Sequence, residues 1–289
     1  MYKISLTAQL CIFGAVFIIG LIIVGMINGI ASGFIEDDRA RFLIVSVFQN
    51  LLVFCVPALI AAYINGHSAI RTLSLNVIPN CKALLGVVIS FAIGFIFFNQ
   101  IIYWNDNISF PDSLSDIEAS LRAMENAARD TSNIIMADSS VIGLLTNILV
   151  VGVITGFSEE LFFRAGLQRM LSEAMPKLIA IWVAAFIFST LHFQFFGFVP
   201  RLLLGAFFGY LYVWTNSIWV SIFAHALNNS IVVLFEWMII RGVLSSDFDS
   251  IGVAEHGFPI LPLISLCLFI LFMFTRKMWF NKSHLRKIK

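Results

Sequence analysis

Charge is scarce in this sequence: Asp, Glu, Lys and Arg make up 12% of its 289 residues, about half the share usual in soluble globular proteins. With 60% hydrophobic residues and a mean hydropathy of +0.93, a soluble globular chain is excluded and an integral membrane protein is implied. The formal net charge of +1 gives no reason to expect nucleic acid or an acidic substrate as partner. Cysteine is scarce too. Cys11, Cys55, Cys81 and Cys267 lie in or beside separate apolar runs without CxxC spacing, which argues against disulfides or a metal cluster and for small buried hydrophobes. No internal repeat, low-complexity tract or separate soluble domain is present. HExxH and GxSxG are both missing, so the best-known zinc-protease signature and the serine nucleophile elbow are absent. Ser158, Ser189 and Thr190 stand in no arrangement that singles one out as a nucleophile.

What the chain does have is long uncharged runs. A spanning helix needs roughly 20 predominantly apolar residues, and the runs predict an all-α, polytopic membrane bundle of about eight transmembrane helices. Their approximate limits are Leu6 to Ile30, Leu43 to Ile64, Ala83 to Tyr103, Ser139 to Phe157, Leu178 to Phe196, Leu202 to Thr215, Ile218 to Ile240 and Phe258 to Met278. The first is too long for a signal peptide and lacks a small-residue cleavage site. The basic tail, with Arg276, Lys277, Lys282, Arg286, Lys287 and Lys289, predicts a cytoplasmic end. An even span count then puts Lys3 inside and the segment from Asp106 to Asp138 outside, and returns Glu159 to Lys177 to the cytoplasmic side. Arg39, Arg41 and Arg201 fall outside, against the rule. Within that exterior segment, Leu114, Ile117, Leu121 and Met124 recur at helical spacing and Ser113 to Asp116 is placed for a capping box. An amphipathic helix at the membrane surface, or a solvated connector, follows.

A single helical membrane domain is therefore expected. Residues 1–140 contribute the first helices and a polar amphipathic segment at about 104–138. Residues 141–240 form a core, and 241–289 hold the last span and the basic tail.

Within the core, 157-FSEELFFRAGLQRML-171 breaks an apolar run with Glu159, Glu160 and Arg164. An ionised group at mid-membrane costs on the order of 2.5–3.5 kcal/mol by insertion scales, and such groups tend to mark function. Glu160 and Arg164 are i, i+4 neighbours and can pair, leaving Glu159 free. The structural alternative is a helix end with snorkelling side chains. Two further polar insertions weigh against it: His192 within 186-FIFSTLHFQFF-196, and His225 followed one turn later by Asn229 within 219-WVSIFAHALNNSIVVLF-235.

Those groups suit hydrolysis. A carboxyl group in a low-dielectric pocket can take a proton from water and later deliver it to a leaving amine. Histidine and asparagine can position the water or donate to the oxyanion of a tetrahedral intermediate. Alternatively, Glu159, His192 and His225 would bind a divalent metal such as zinc that activates the water. Spacing does not choose between the two.

The EExxxR of Glu159, Glu160 and Arg164, the FxxxH of Phe188 to His192 and the HxxxN of His225 to Asn229, in this order on successive helices, resemble the CAAX protease and bacteriocin-processing family (CPBP, or Abi). The likeness covers roughly Val150 to Val233. It implies an intramembrane endopeptidase with an eight-helix-type fold, acting on a membrane-associated or lipidated peptide or protein, with its site open to the cytoplasm. It further implies Glu159 as the general base, Glu160 and Arg164 as supporting residues, His192 holding water or metal, and His225 with Asn229 stabilising the oxyanion or completing the site. Flanking Phe162, Phe163, Phe193, Phe195 and Phe196 could line a lipid-like groove, though ordinary packing explains them equally well. Short connections suggest a prokaryotic inner membrane. A non-catalytic immunity or peptide-binding protein would use the same cavity but is expected to carry a broken motif. A transporter would show Gly/Pro-interrupted helices in matching halves, which are absent.

Overall fold

The computed structural model describes residues 4–64, 68–245 and 250–280. Among these it has eleven helices and no strand. They are α1 (Leu6–Ala31), α2 (Asp38–Ile64), α3 (Ala69–Thr72), α4 (Cys81–Asp106), α5 (Ser115–Met136), α6 (Val141–Ala174), α7 (Lys177–Thr190), α8 (Phe198–Thr215), α9 (Ile218–Ile240), α10 (Ile260–Phe274) and α11 (Arg276–Trp279).

Among the described residues six helices are long and apolar enough to cross a membrane: α1, α2, α4, α6, α8 with its preceding turn from Phe195, and α9. The expected eight include two that fall short. α7 has 14 residues and α10 has 15, about 21–23 Å at 1.5 Å per residue, against a hydrocarbon core of about 30 Å. The fifth run was expected to continue to Phe196, but α7 stops at Thr190. The chain then turns through Phe193, at positive φ, into a short 3-10 turn at Phe195–Gly197.

The largest departure is α6, which was expected to end as a span near Phe157. It runs 34 residues to Ala174. Glu159 therefore lies well inside a helix and not at its inner end. Two π-helical segments, Ile148–Ile154 and Leu161–Gln168, widen α6 on either side of the glutamates. A third, Asn50–Cys55, widens α2. Asn50 ties the two helices together, its amide donating to Ser46 O at 2.9 Å and Thr155 Oγ1 at 3.1 Å, while Ser158 donates to its Oδ1.

Hydrogen bonds fix which helix ends meet. At one end Ser217 donates to Val77 O at 2.6 Å and Trp219 to Leu75 O at 2.9 Å. At the other, Arg39 donates to Ile135 O, Asn105 to Phe195 O and Trp237 to Ser139 O. The amphipathic segment does form a helix, α5, at this second end. Its expected capping box does not form: Ser113 lies in a 3-10 turn at Asp112–Leu114 and no side chain caps α5. Glu118 instead accepts from Phe110 N at 2.8 Å. Leu114, Ile117 and Met124 face outward, while the opposite face turns Arg122 onto the Phe196 ring at 3.3 Å.

The cysteines were expected to be buried, but Cys11, Cys81 and Cys267 are exposed and Cys55 half-buried, all as free thiols. An apolar environment outside the bundle removes the pressure that buries small hydrophobes in a water-soluble fold. Lys3, Lys282, Arg286, Lys287 and Lys289 lie outside the described residues.

α6 and α9 approach closely because Gly152 and Gly156, in small-xxx-small spacing, face α9. A Cβ on Gly156 would stand 2.8 Å from Ala226 N, and one on Gly152 would stand 2.4 Å from Ser230 Oγ. Ala226 adjoins His225, so this contact sets the height of the histidine beside the glutamates. Gly156→Ala must push α9 away, and overpacking of this kind costs about 1–3 kcal/mol. Thermal unfolding in detergent should show a lowered midpoint, and an unchanged one would mean that the helices are not in backbone contact.

Candidate active site

The centre of the bundle is built around Glu160 and Arg164 of α6, 0% and 1% exposed as side chains. The i, i+4 pairing expected from spacing is present, with Arg164 Nε 3.0 Å from Glu160 Oε2. Arg164 Nη2 donates to Gly205 O of α8 at 2.9 Å. The guanidinium is bounded by Phe188 at 5.0 Å, Phe208 at 5.5 Å and Phe163 at 5.8 Å. Gly205 permits this closeness, since a Cβ there would meet the Phe188 ring at 3.0 Å.

Glu160 uses its second oxygen on α9. His225 Nδ1 lies 2.8 Å from Glu160 Oε1, and His225 Nε2 lies 3.7 Å from Glu159 Oε2. The imidazole stacks on Phe208 at 5.0 Å and meets Phe188 edge-on at 5.8 Å. Glu160 therefore orients the ring through one nitrogen and aims the other at Glu159, as an outer partner fixes a functional histidine. Glu159 Oε2 is buried and makes no hydrogen bond.

His192 lies in the turn after α7, half-buried, with Nδ1 2.8 Å from Phe188 O. A carbonyl can only accept, so Nδ1 carries the proton and, in the neutral ring, Nε2 keeps its lone pair. The ring sits against Phe188 at 4.9 Å and within electrostatic reach of Glu159 and His225. Asn229 behaves differently. It shares a helical face with His225, but its amide donates to Val151 O at 3.2 Å, in the first π segment of α6, and its Oδ1 accepts from Asn228. Its described contacts fasten α9 to α6.

Among the described residues no three His, Cys, Asp or Glu side chains are gathered to hold a metal. Glu159, His192 and His225, expected from the sequence as an alternative ligand set, are not gathered as such a group; His225 Nδ1 faces Glu160 at 2.8 Å and its Nε2 stands 3.7 Å from Glu159. Of the flanking aromatics, Phe162, Phe163 and Phe196 are buried packing residues and Phe193 is 64% exposed.

Several residues around the centre escaped the sequence reading. Gln168 donates to Gly209 O at 3.2 Å, and Asn50 bridges α2 to Thr155 and Ser158. Both are polar residues inside apolar helices, the same signal that marked Glu159. Two cavities, of about 710 Å³ and 530 Å³, are lined by α4, α8 and α9, the first also by α5, and neither is lined by Glu159, His192 or His225.

A multi-pass helical membrane protein with a buried Glu–Arg–His array at its centre is the class that the fold and site define. Residues 141–231 match the family described as type II CAAX prenyl endopeptidase Rce1-like. A protein named "Putative membrane peptidase YdiL" from Bacillus subtilis (strain 168) is 30% identical over 110 residues, covering 38% of this chain and 45% of that protein. The chain thus spans under half the length of that relative. No solved structure matches. The matched segment includes Glu159, Glu160, Arg164, His192, His225 and Asn229, and the resemblance to the CAAX protease type holds over this core.

Removing one partner of a buried ion pair leaves an uncompensated charge, at a cost of about 3–5 kcal/mol. Glu160→Ala should therefore lower the unfolding midpoint and folded yield far more than Glu159→Ala. Equal effects in detergent melts would show that Glu160 does not neutralise Arg164.

Proposed function

We propose that this chain is an intramembrane endopeptidase of the CAAX protease type, with Glu159 as general base and acid. The observation that carries the proposal is the division of labour between adjacent glutamates. Glu160 is engaged by Arg164 and His225, whereas Glu159 keeps a buried oxygen without a hydrogen bond, facing His225 Nε2 at 3.7 Å.

In this mechanism Glu159 takes a proton from water, and the oxygen attacks the scissile carbonyl carbon. Charge develops on the carbonyl oxygen, and His225, when doubly protonated, donates from Nε2 to it. His192 accepts a hydrogen bond from the attacking water at Nε2 and orients it. Glu159 then delivers its proton to the leaving amine as the carbon–nitrogen bond breaks. Asn229 acts by holding α9 against the π segment, and Arg164 by holding Glu160 in place beside His225.

The substrate is a membrane-associated or lipidated peptide or protein, and the chain resides in a prokaryotic plasma membrane, a reading supported by the bacterial relative. The enclosure of Glu159 favours a second reading, a non-catalytic immunity or peptide-binding protein. Comparing the two by mass spectrometry of membrane peptides separates them. Glu159→Gln preserves shape and removes the base, so cleavage should fall at least about a hundredfold, within the range of general acid–base contributions, with an unchanged melting midpoint. Identical peptides from wild type and variant would sink the peptidase reading.

A further inference from the structure

The two cavities that Glu159 does not line adjoin each other, since Asn99, Ile102, Pro200, Leu204 and Val232 line both. The one of about 710 Å³ is polar and lies at one end of the bundle. There Asp106 closes α4, Arg201 stands on the first turn of α8, Glu236 lies one turn before the end of α9, and α5 adds Glu125 and Arg129. The one of about 530 Å³ follows α4, α8 and α9 inward and is walled by Phe91, Phe95, Leu227, Ile231 and Phe235. Its two asparagines are spent within the protein, Asn99 donating to Ile251 O at 3.4 Å and Asn228 to Asn229 Oδ1 at 3.2 Å.

A polar chamber continued by an apolar trough has the shape of a membrane lipid. Along α4 the apolar lining extends from Ile102 to Val88, about 21 Å at 1.5 Å per residue. One leaflet of a hydrocarbon core of about 30 Å is about 15 Å deep, so the trough has room for an acyl chain. Of its lining, Val88, Ile102 and Val232 are exposed, which leaves it open sideways to the bilayer.

The polar chamber specifies the head group. Its lining carries both signs, Asp106, Glu125 and Glu236 against Arg129 and Arg201. Asp106 stands 3.3 Å from Arg122 and 3.9 Å from Arg129. Arg201 donates from Nη1 to Gln194 O at 3.2 Å and from Nη2 to Gln194 Oε1 at 2.6 Å, and Gln194 donates to Glu125 Oε1 at 2.9 Å. Glu125 itself is 8% exposed, and its Oε2 makes no hydrogen bond although Arg201 lies within electrostatic reach. A buried oxygen left open in a cavity wall marks a place for a donor, and a charged donor makes the stronger bond. A primary ammonium carries three N–H groups, as lysine does; a quaternary ammonium carries none. Arg129, 61% exposed as a side chain, supplies a guanidinium for a phosphate on the same head group.

We propose that the adjoining cavities bind a bilayer phospholipid with a primary-amine head group of the ethanolamine kind. Its ammonium sits on Glu125, its phosphate faces Arg129, and one acyl chain lies in the trough between α4, α8 and α9. The site is separate from the glutamates of α6 and stands whether or not Glu159 cleaves peptides.

Native mass spectrometry of the full chain in detergent tests this with added dioleoyl phosphatidylethanolamine, phosphatidylcholine and phosphatidylglycerol, which share their tails and differ in the head. A hydrogen bond to a charged group is worth a factor of about ten or more, so wild type should hold the ethanolamine lipid at least about tenfold more tightly than the choline lipid. Glu125→Gln should bring those two within about twofold of each other. Ala92 is exposed on α4 and lines the trough, so Ala92→Trp fills it from the side and should weaken binding of both lipids at least about tenfold. Val88→Trp serves the same purpose should that variant not fold. Equal retention of the ethanolamine and choline lipids by wild type, tightest binding of the glycerol lipid, or retention of none of the three overturns the proposal, and wild type decides this whatever the fate of Glu125→Gln. A folded tryptophan variant that binds as wild type does removes the acyl chain from the trough and overturns it equally.

Discussion

Arg164 is the largest fully buried side chain among the described residues, and holding a guanidinium there engages three helices at once. Its ion-pair partner Glu160 comes from its own helix, its hydrogen-bond acceptor Gly205 from α8, and its bounding rings from α6, α7 and α8. An unpaired buried ion costs several kcal/mol even after relaxation. The pair is therefore tolerable only while these helices keep their mutual positions. His225 on α9 enters the same assembly through Glu160 and through the face of Phe208. The charge is thus a geometric constraint as much as an energetic one.

The π segments answer a related requirement. A wide turn leaves backbone carbonyls poorly served along the helix, and such bulges are frequent at functional sites. Here the carbonyls find side-chain donors: Thr155 Oγ1 donates to Val150 O at 3.0 Å, Asn229 to Val151 O at 3.2 Å, and Arg169 to Ala165 O at 3.0 Å. Each donor also secures a neighbouring turn or helix. Widening on both sides of Thr155–Glu160 brackets the glutamates within one ordinary helical stretch.

Much of this was legible in the chain. Apolar runs located the spans because lipid makes composition nearly decisive. Glu159, Glu160, Arg164 and His225 stood out because ionisable groups are rare in such runs, and the i, i+4 spacing of Glu160 and Arg164 was enough to pair them. Where α7 stops was not legible: 186-FIFSTLHFQFF-196 stays apolar past Thr190, and Ser189 reaches across to Phe198 O at 2.7 Å to tie the turn down. The length of α6 was equally hidden, since its charged second half resembles an interfacial turn until the groups that bury Glu160 and Arg164 are known. Asn229 illustrates a third limit. Sharing a face with His225 placed it near the centre, but its partner Val151 is 78 positions away in sequence, which no local pattern reveals.

The adjacent glutamates also show how a buried reactive group can be kept without unfolding its surroundings. An unsatisfied polar atom in the interior costs about 1–3 kcal/mol, small beside the several kcal/mol that a lone buried arginine would add. Assigning Glu160 to the arginine and histidine gives its charge two partners, while Glu159 Oε2 stays buried without a hydrogen bond. That oxygen sits on a rigid helix whose position is set by Gly152 and Gly156 against α9. Exchanging the roles of the two glutamates would turn the helix by one residue, about 100°, and take the carboxylate away from both Arg164 and His225. The order of the two is therefore fixed by the helix, even though their chemistry is identical.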